Sequence, residues 1–276
     1  MEYSKIIETL TGAGYEIKEE KIIRKNGIDR HAVLIARPNE DEGGVQIRPT
    51  MYVDAFLDGH LTEDDLIEYA KNSILKAIET SGTTSFIAEK MKDREYILKN
   101  LQLGVQRKGG YNCLTRTSSL CEDLEDFCFV AVKGNDGNVF TTRMTEEVIK
   151  ANGISEEEMW EAAEYNTLQD KNCIIMERIE DCIDEETKSK MILLTNRAMC
   201  LGTGLMYKKE FFKKEFPGED EVIIIPMDTD SIGVANFVKG ISREYELMCH
   251  ENIIKENNNL LDTEHILYDK PIVVKL

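Results

Sequence analysis

Three times along the chain, two short apolar runs flank a handful of turn-forming residues. They are "EKIIRKNGIDRHAVLIA" at 20–36, "DFCFVAVKGNDGNVFTTRM" at 126–144 and "VIIIPMDTDSIGVA" at 222–235. Asn-Gly and its relatives accept positive φ at little cost, so each pattern predicts a β-hairpin. Strands joined by tight turns are antiparallel, and sheets built this way leave room for single helices between hairpins. The expected class is therefore α+β: mostly antiparallel sheets built from hairpins, with interspersed single helices. A doubly wound sheet would need longer and more regular β-α alternation. The break at Gly109-Gly110 predicts two lobes, an N-terminal α+β lobe over 1–108 and a C-terminal α+β lobe over 109–276.

Helices are expected at the first ten residues and over 61–79, where Thr62 and Asp65 form a near capping box and Leu66, Ile67, Ala70, Ile74 and Ile78 an apolar stripe. Further helices are expected over 85–103, 145–151, 155–166, 207–216 and 241–256, the last burying Ile241, Tyr245, Met248 and Ile253. "KSKMILLT", "CLGTGLM", "HILYD" and "IVVKL" read as strands. Residues 61–70 and 154–163 align without gaps, a faint internal echo of one capped helix by another.

Charge narrows the function classes. The 276 residues carry a formal net charge of −18, a field that disfavours direct binding of nucleic acid. Residues 155–187 hold 12 acidic and 2 basic side chains, a net of −10, whereas 88–116 hold 7 basic and 3 acidic, a net of +4. The basic segment is placed either to answer acidic surface on its own chain or a partner, or to touch something anionic. No run is apolar enough for a membrane helix, and "MEYSKIIETL" lacks the pattern of a secretory leader. Seven cysteines without a Cys-x-x-Cys pair read as reduced thiols, hence a cytoplasmic location.

The tetrad Asp-Thr-Asp-Ser at 228–231 is the sharpest candidate for chemistry. B-family DNA polymerases hold catalytic magnesium on a strand–Asp-Thr-Asp-Ser–strand segment, so Asp228 and Asp230 are candidate metal ligands. A two-metal site needs further carboxylates from other segments, and no second matching motif is present. The alternative is a turn in which the side chains bond local backbone N–H groups. Asp54, Asp58 and His60 form a second possible metal set at helical spacing. Cys249 beside His250, near Glu246, could form a thiol–imidazole pair. Gly202-x-Gly204 lacks the remainder of a dinucleotide fingerprint, and no Gly-x-x-x-x-Gly-Lys loop occurs, so no cofactor is expected. Met159 and Trp160, on an acidic helix, are candidate anchors for a protein partner.

The segments "EDLEDFCFVAV", "TEEVIKANGISEEEMWEAAEYNT", "MILLTNRAMCLGTGLMYKKEFFKKEF", "VIIIPMDTDSIGVAN" and "ILYD", with "IRPTMYVDAFLDGH" upstream, resemble the uncharacterised bacterial family of domain of unknown function 5688. The resemblance implies no established activity and transfers no catalytic residue. It also implies mixed polar residues at the positions of Asp228 to Ser231, in keeping with a turn, and a setting among mobile elements. The sequence reading is thus a cytoplasmic, non-enzymatic binding or regulatory protein, possible as a mobile-element accessory factor. Two alternatives stand beside it. One is an acidic nucleic-acid mimic that blocks a basic groove; the other is a metal-dependent hydrolase or transferase using Asp228 and Asp230.

Overall fold

A computed structural model of the chain describes residues 1–25, 27–36, 41–42, 45–46, 49–134, 138–182, 188–262 and 265–276, with the side chains of all of these but 41–42, 45–46, 80–84, 170, 181–182 and 188. The chain divides into two compact units, Met1–Ala88 and Glu89–Leu276. Every strand pair among the described residues is antiparallel, as hairpin construction requires. The turn residues Asn26 and 135–137 lie outside the described residues.

The first unit runs α1 (Tyr3–Gly12), β1 (Glu16–Lys25), β2 (Ile28–Ala36), a short ladder of β3 (Asp41–Glu42) and β4 (Val45–Gln46), β5 (Thr50–Tyr52), α2 (Asp54–Leu57) and α3 (Glu63–Lys90). Its sheet has the order β1-β2-β5. Leu66, Ala70 and Ile74 recur every fourth residue on α3 and join Ile6, Leu10, Val33, Ile35 and Met51 in one core. The helix starts where Thr62 N–H and Oγ1 both donate to Asp65 Oδ2, at 2.8 and 2.6 Å.

The second unit opens with α4 (Arg94–Asn100), β6 (Leu101–Arg107), β7 (Thr115–Thr117), β8 (Leu124–Lys133), β9 (Val139–Arg143), α5 (Glu146–Ala151) and α6 (Glu156–Leu168). It continues with β10 (Cys173–Cys182), β11 (Lys188–Asn196), a 3-10 helix (Gly202–Tyr207), α7 (Lys209–Glu215), β12 (Glu221–Pro226), β13 (Ser231–Ala235), α8 (Arg243–Asn258) and β14 (Ile272–Lys275). One sheet has the order β6-β8-β7 with β9 also on β8, and another the order β10-β11-β13-β12-β14. β12 is buried on both faces: Val222 and Ile224 enter the main core, while Ile223 and Ile225 share a second cluster with Ile254 of α8. Burying each such side chain contributes about 1.5–3 kcal/mol.

Several expectations change. Residues 89–108, expected in the first lobe, lie in the second unit, because Leu101 to Arg107 pair with β8 from Val130 to Leu124. The helix expected over 85–103 stops at Asn100, where the apolar spacing of Leu101, Leu103 and Val105 switches to a period of two. "CLGTGLM" forms a 3-10 helix in place of a strand, "HILYD" forms none, and β10 had no counterpart in the sequence reading. On α8 the expected stripe faces outward: Ile241, Tyr245, Met248 and Ile253 are exposed, while Glu246 and Ile254 are buried.

The outer edge of β6 is closed by side chains instead of a strand. Leu103 N–H donates to Thr167 Oγ1 at 2.7 Å. Val105 N–H donates to Thr203 Oγ1 at 2.7 Å, and that hydroxyl returns its proton to Val105 O at 2.9 Å. An open edge would leave these backbone groups unpaired. The 3-10 helix approaches so closely that a Cβ on Gly204 would stand 2.0 Å from Leu103 O, and one on Gly202 2.3 Å from Asp230 O. Gly204→Ala is therefore expected to cost about 3 kcal/mol or more in urea unfolding, since the opposing atoms are backbone. Gly12→Ala, which meets nothing within 4 Å at the end of α1, is expected to be neutral or to gain about 0.5 kcal/mol.

Candidate functional site

The acidic tetrad closes the β12–β13 hairpin. Asp228 Oδ1 accepts from Asp230 N–H at 2.7 Å, Ser231 N–H at 2.6 Å and Ser231 Oγ at 2.9 Å. Asp230 turns the other way: its Oδ1 accepts from Leu201 N–H at 2.7 Å, and its carbonyl accepts from Thr195 Oγ1 at 2.8 Å and Gly202 N–H at 3.2 Å. One aspartate shapes the turn and the other ties it to a neighbouring loop. Among the described residues, no three His, Cys, Asp or Glu side chains come together in a way that could hold a metal ion.

The remaining sequence candidates are dispersed. Asp54 begins α2, where its Oδ1 accepts from His31 N–H at 3.0 Å, while Asp58 is the C-cap of that four-residue helix and His60 is exposed. Cys249 and His250 are consecutive on α8 and so point in different directions. Burial lowers the pKa of His250, and its Nδ1 has no partner among the described residues. Burial also pushes the thiols of Cys113 and Cys200 up to about 11, leaving them protonated at neutral pH.

Met159 is fully buried and Trp160 only 8% exposed, so both candidate anchors pack inside the second unit. The Arg116 guanidinium lies over the Trp160 ring, 4.4 Å from its centroid, and pairs with Glu164 and with buried Asp126. Tyr207 OH donates to Asp126 Oδ1 at 2.6 Å, and Ser118 Oγ lies 2.7 Å from that phenol oxygen. Arg94 likewise binds Glu158 at 2.5 Å. The basic 88–116 segment thus neutralises part of the acidic α6 within its own chain.

Four cations of the second unit do something else. Lys99 lies in the last turn of α4, Lys133 ends β8, Lys171 follows α6 and Arg197 follows β11, and all four line one cleft of about 760 Å³. They are exposed, and none has an ion-pair partner among the described residues. No described Asp or Glu lines the cleft; its polar wall is completed by the amides Asn100, Gln102, Asn166 and Asn172. In a chain of charge −18, four cations with no ion pair among the described side chains, gathered around a concavity, form a local positive field.

The cleft wall is held by a network of amides. Asn166 Nδ2 donates to Leu98 O at 2.8 Å and Leu101 O at 3.0 Å, joining α6 to the α4–β6 junction. Gln102 Oε1 accepts from Asn172 Nδ2 at 3.3 Å and Asn196 Nδ2 at 3.1 Å. Beyond Asn196 the chain is strained: Met199 has φ 53° and Leu201 φ 50°, a left-handed conformation costing on the order of 1–3 kcal/mol per residue. Asn196 holds the loop through Cys200, accepting its N–H at 3.2 Å and donating to its O at 2.6 Å, while Asp230 holds Leu201. The aspartate first considered as a metal ligand therefore positions the loop that carries Arg197 and Met199. Sequence reading missed the cleft because its cations come from four separate segments; the net charge of +4 over 88–116 was the one available signal.

The fold and cleft define an α+β protein with a cationic concavity in its second unit. The chain belongs to a family described as a family of unknown function (DUF5688), which matches residues 2–230 and thus includes every residue lining the cleft. No curated protein and no solved structure gave a significant match. No helix among the described residues is long and apolar enough to cross a membrane.

Two outcomes check these assignments. Asp228→Asn keeps an oxygen that accepts all three turn bonds and is expected to unfold close to wild type. Asp228→Ala is expected to cost about 1.5–3 kcal/mol, with neither midpoint moved by magnesium or by a chelator. Glu246, 6% exposed, accepts Val238 N–H at 2.6 Å through Oε1, while Oε2 has no partner among the described residues. Burial raises its pKa, so the native state holds the proton more tightly than the unfolded state does. Stability should then fall as pH rises above the unfolded glutamate value, and the Glu246→Gln protein should gain on wild type over that same rise in thermal melts.

Proposed function

We propose that the protein is a non-enzymatic binding protein of the cytoplasm whose second unit captures an anionic ligand. The observation that carries this reading is the cleft of about 760 Å³ lined by Lys99, Lys133, Lys171 and Arg197 with no described carboxylate. Four like charges held around one concavity repel one another, and an anion relieves that repulsion. The volume falls in the range of small-ligand sites, about 300–1,000 Å³. Free thiols at Cys113, Cys121, Cys128, Cys173, Cys200 and Cys249 support the cytoplasmic setting.

The acidic-mimic reading draws less support, because Arg94 and Arg116 already engage Glu158 and Glu164 of α6. The metal-dependent hydrolase reading loses ground for a similar reason: Asp228 and Asp230 spend their carboxylates on backbone N–H groups.

Isothermal titration of the full chain with inorganic tripolyphosphate tests the reading. Saturable binding is expected, weakened about tenfold or more by the Lys171→Ala/Arg197→Ala pair and strongly by added salt. Absence of binding, or binding that the double variant leaves unchanged, would overturn it.

A further inference from the structure

The cleft is not lined by charge alone. Tyr165, near the end of α6, is 69% exposed and lines it, and Met199, 64% exposed, lines it too. A tyrosine left this open lacks the burial that normally stabilises an aromatic ring. Met199 stands there because the chain accepts a left-handed residue, with Asn196 N-terminal to it and Asp230 gripping Leu201 beyond it. A methionine is polarisable and makes favourable contacts with aromatic rings. One cleft thus combines an exposed aromatic ring, an exposed thioether and four separate cations.

Three of the cations are lysines, compact point charges of the kind that bind phosphate oxygens singly, and the fourth is an arginine, whose fork matches a phosphate in two bonds. Four positive charges exceed what a monocarboxylate would use and approach the charge of a triphosphate chain. The −18 field of the whole molecule repels a long phosphate backbone, whereas a compact ligand can stay within the local positive field. Resting on the anion-binding reading above, we propose that the ligand of this cleft is a nucleoside triphosphate. Its base stacks on Tyr165, and its phosphates meet Lys99, Lys133, Lys171 and Arg197. Because the chain has no Gly-x-x-x-x-Gly-Lys loop, side-chain cations, not a cradle of backbone N–H groups, would carry the phosphate contacts.

The test compares ATP, GTP, CTP and UTP with inorganic tripolyphosphate on the full chain by titration calorimetry. At least one nucleotide is expected to bind about tenfold or more tighter than tripolyphosphate, the increment of one base–aromatic stack. Tyr165→Ala should erase that preference while tripolyphosphate affinity stays unchanged, and Tyr165→Phe should keep it. Circular dichroism of both variants checks that they fold, which the exposure of the ring favours. If tripolyphosphate binds but no nucleotide binds better, or if Tyr165→Ala keeps the preference, the nucleotide assignment falls and the anion site stands. If neither class binds, both fall together.

Discussion

The second unit depends on how the edge of β6 is closed. A strand edge presents unpaired N–H and C=O groups, and here two threonine hydroxyls, Thr167 from α6 and Thr203 from the 3-10 helix, satisfy them. Thr203 reaches Val105 only because Gly204 lets the backbone lie against Leu103, at a separation where any Cβ would collide. The same 3-10 helix sends Leu205 and Met206 into the main core beside β11, β12 and β13. One segment therefore closes the edge of one sheet and helps fill the core beneath another.

The position of that helix in turn fixes the loop before it. Leaving β11 at Asn196, the chain has only a few residues in which to enter the 3-10 helix at Gly202, and it does so through two left-handed residues. Asn196 and Asp230 offset the strain with hydrogen bonds to Cys200 and Leu201. The aspartate turn and the cationic cleft thus belong to one construction. Strain retained in a loop that lines a concavity is characteristic of positions held for binding.

Charge is arranged on two scales. Several cations of the second unit pair locally: Arg116 with Asp126 and Glu164, Arg178 and Lys190 with Glu215, Arg243 with Glu221. Exposed pairs of this kind contribute little to stability, but they remove the cation from the surface field. Lys99, Lys133, Lys171 and Arg197 are left uncompensated among the described residues and converge on one cleft. Their convergence on one lining, with no described carboxylate among them, is what distinguishes the cleft.

Local signals in the sequence determined the hairpins, most helix starts and the α+β class. Apolar alternation, turn residues and caps such as Thr62/Asp65 and Ser155 act over a few residues, and Ser155 Oγ does accept Glu158 N–H at 3.1 Å. The turn role of Asp228 was also legible, since an Asp–Ser pair between two strands bonds its own backbone. Tertiary packing decided the rest. Leu101 to Arg107 became a strand because β8 was there to pair with it, and α8 turned Tyr245 and Met248 outward because its contact with β12 is through Ile254. The cleft could not be read at all from spacing: its four cations lie up to 98 positions apart, between Lys99 and Arg197, and only the sheet topology brings them together.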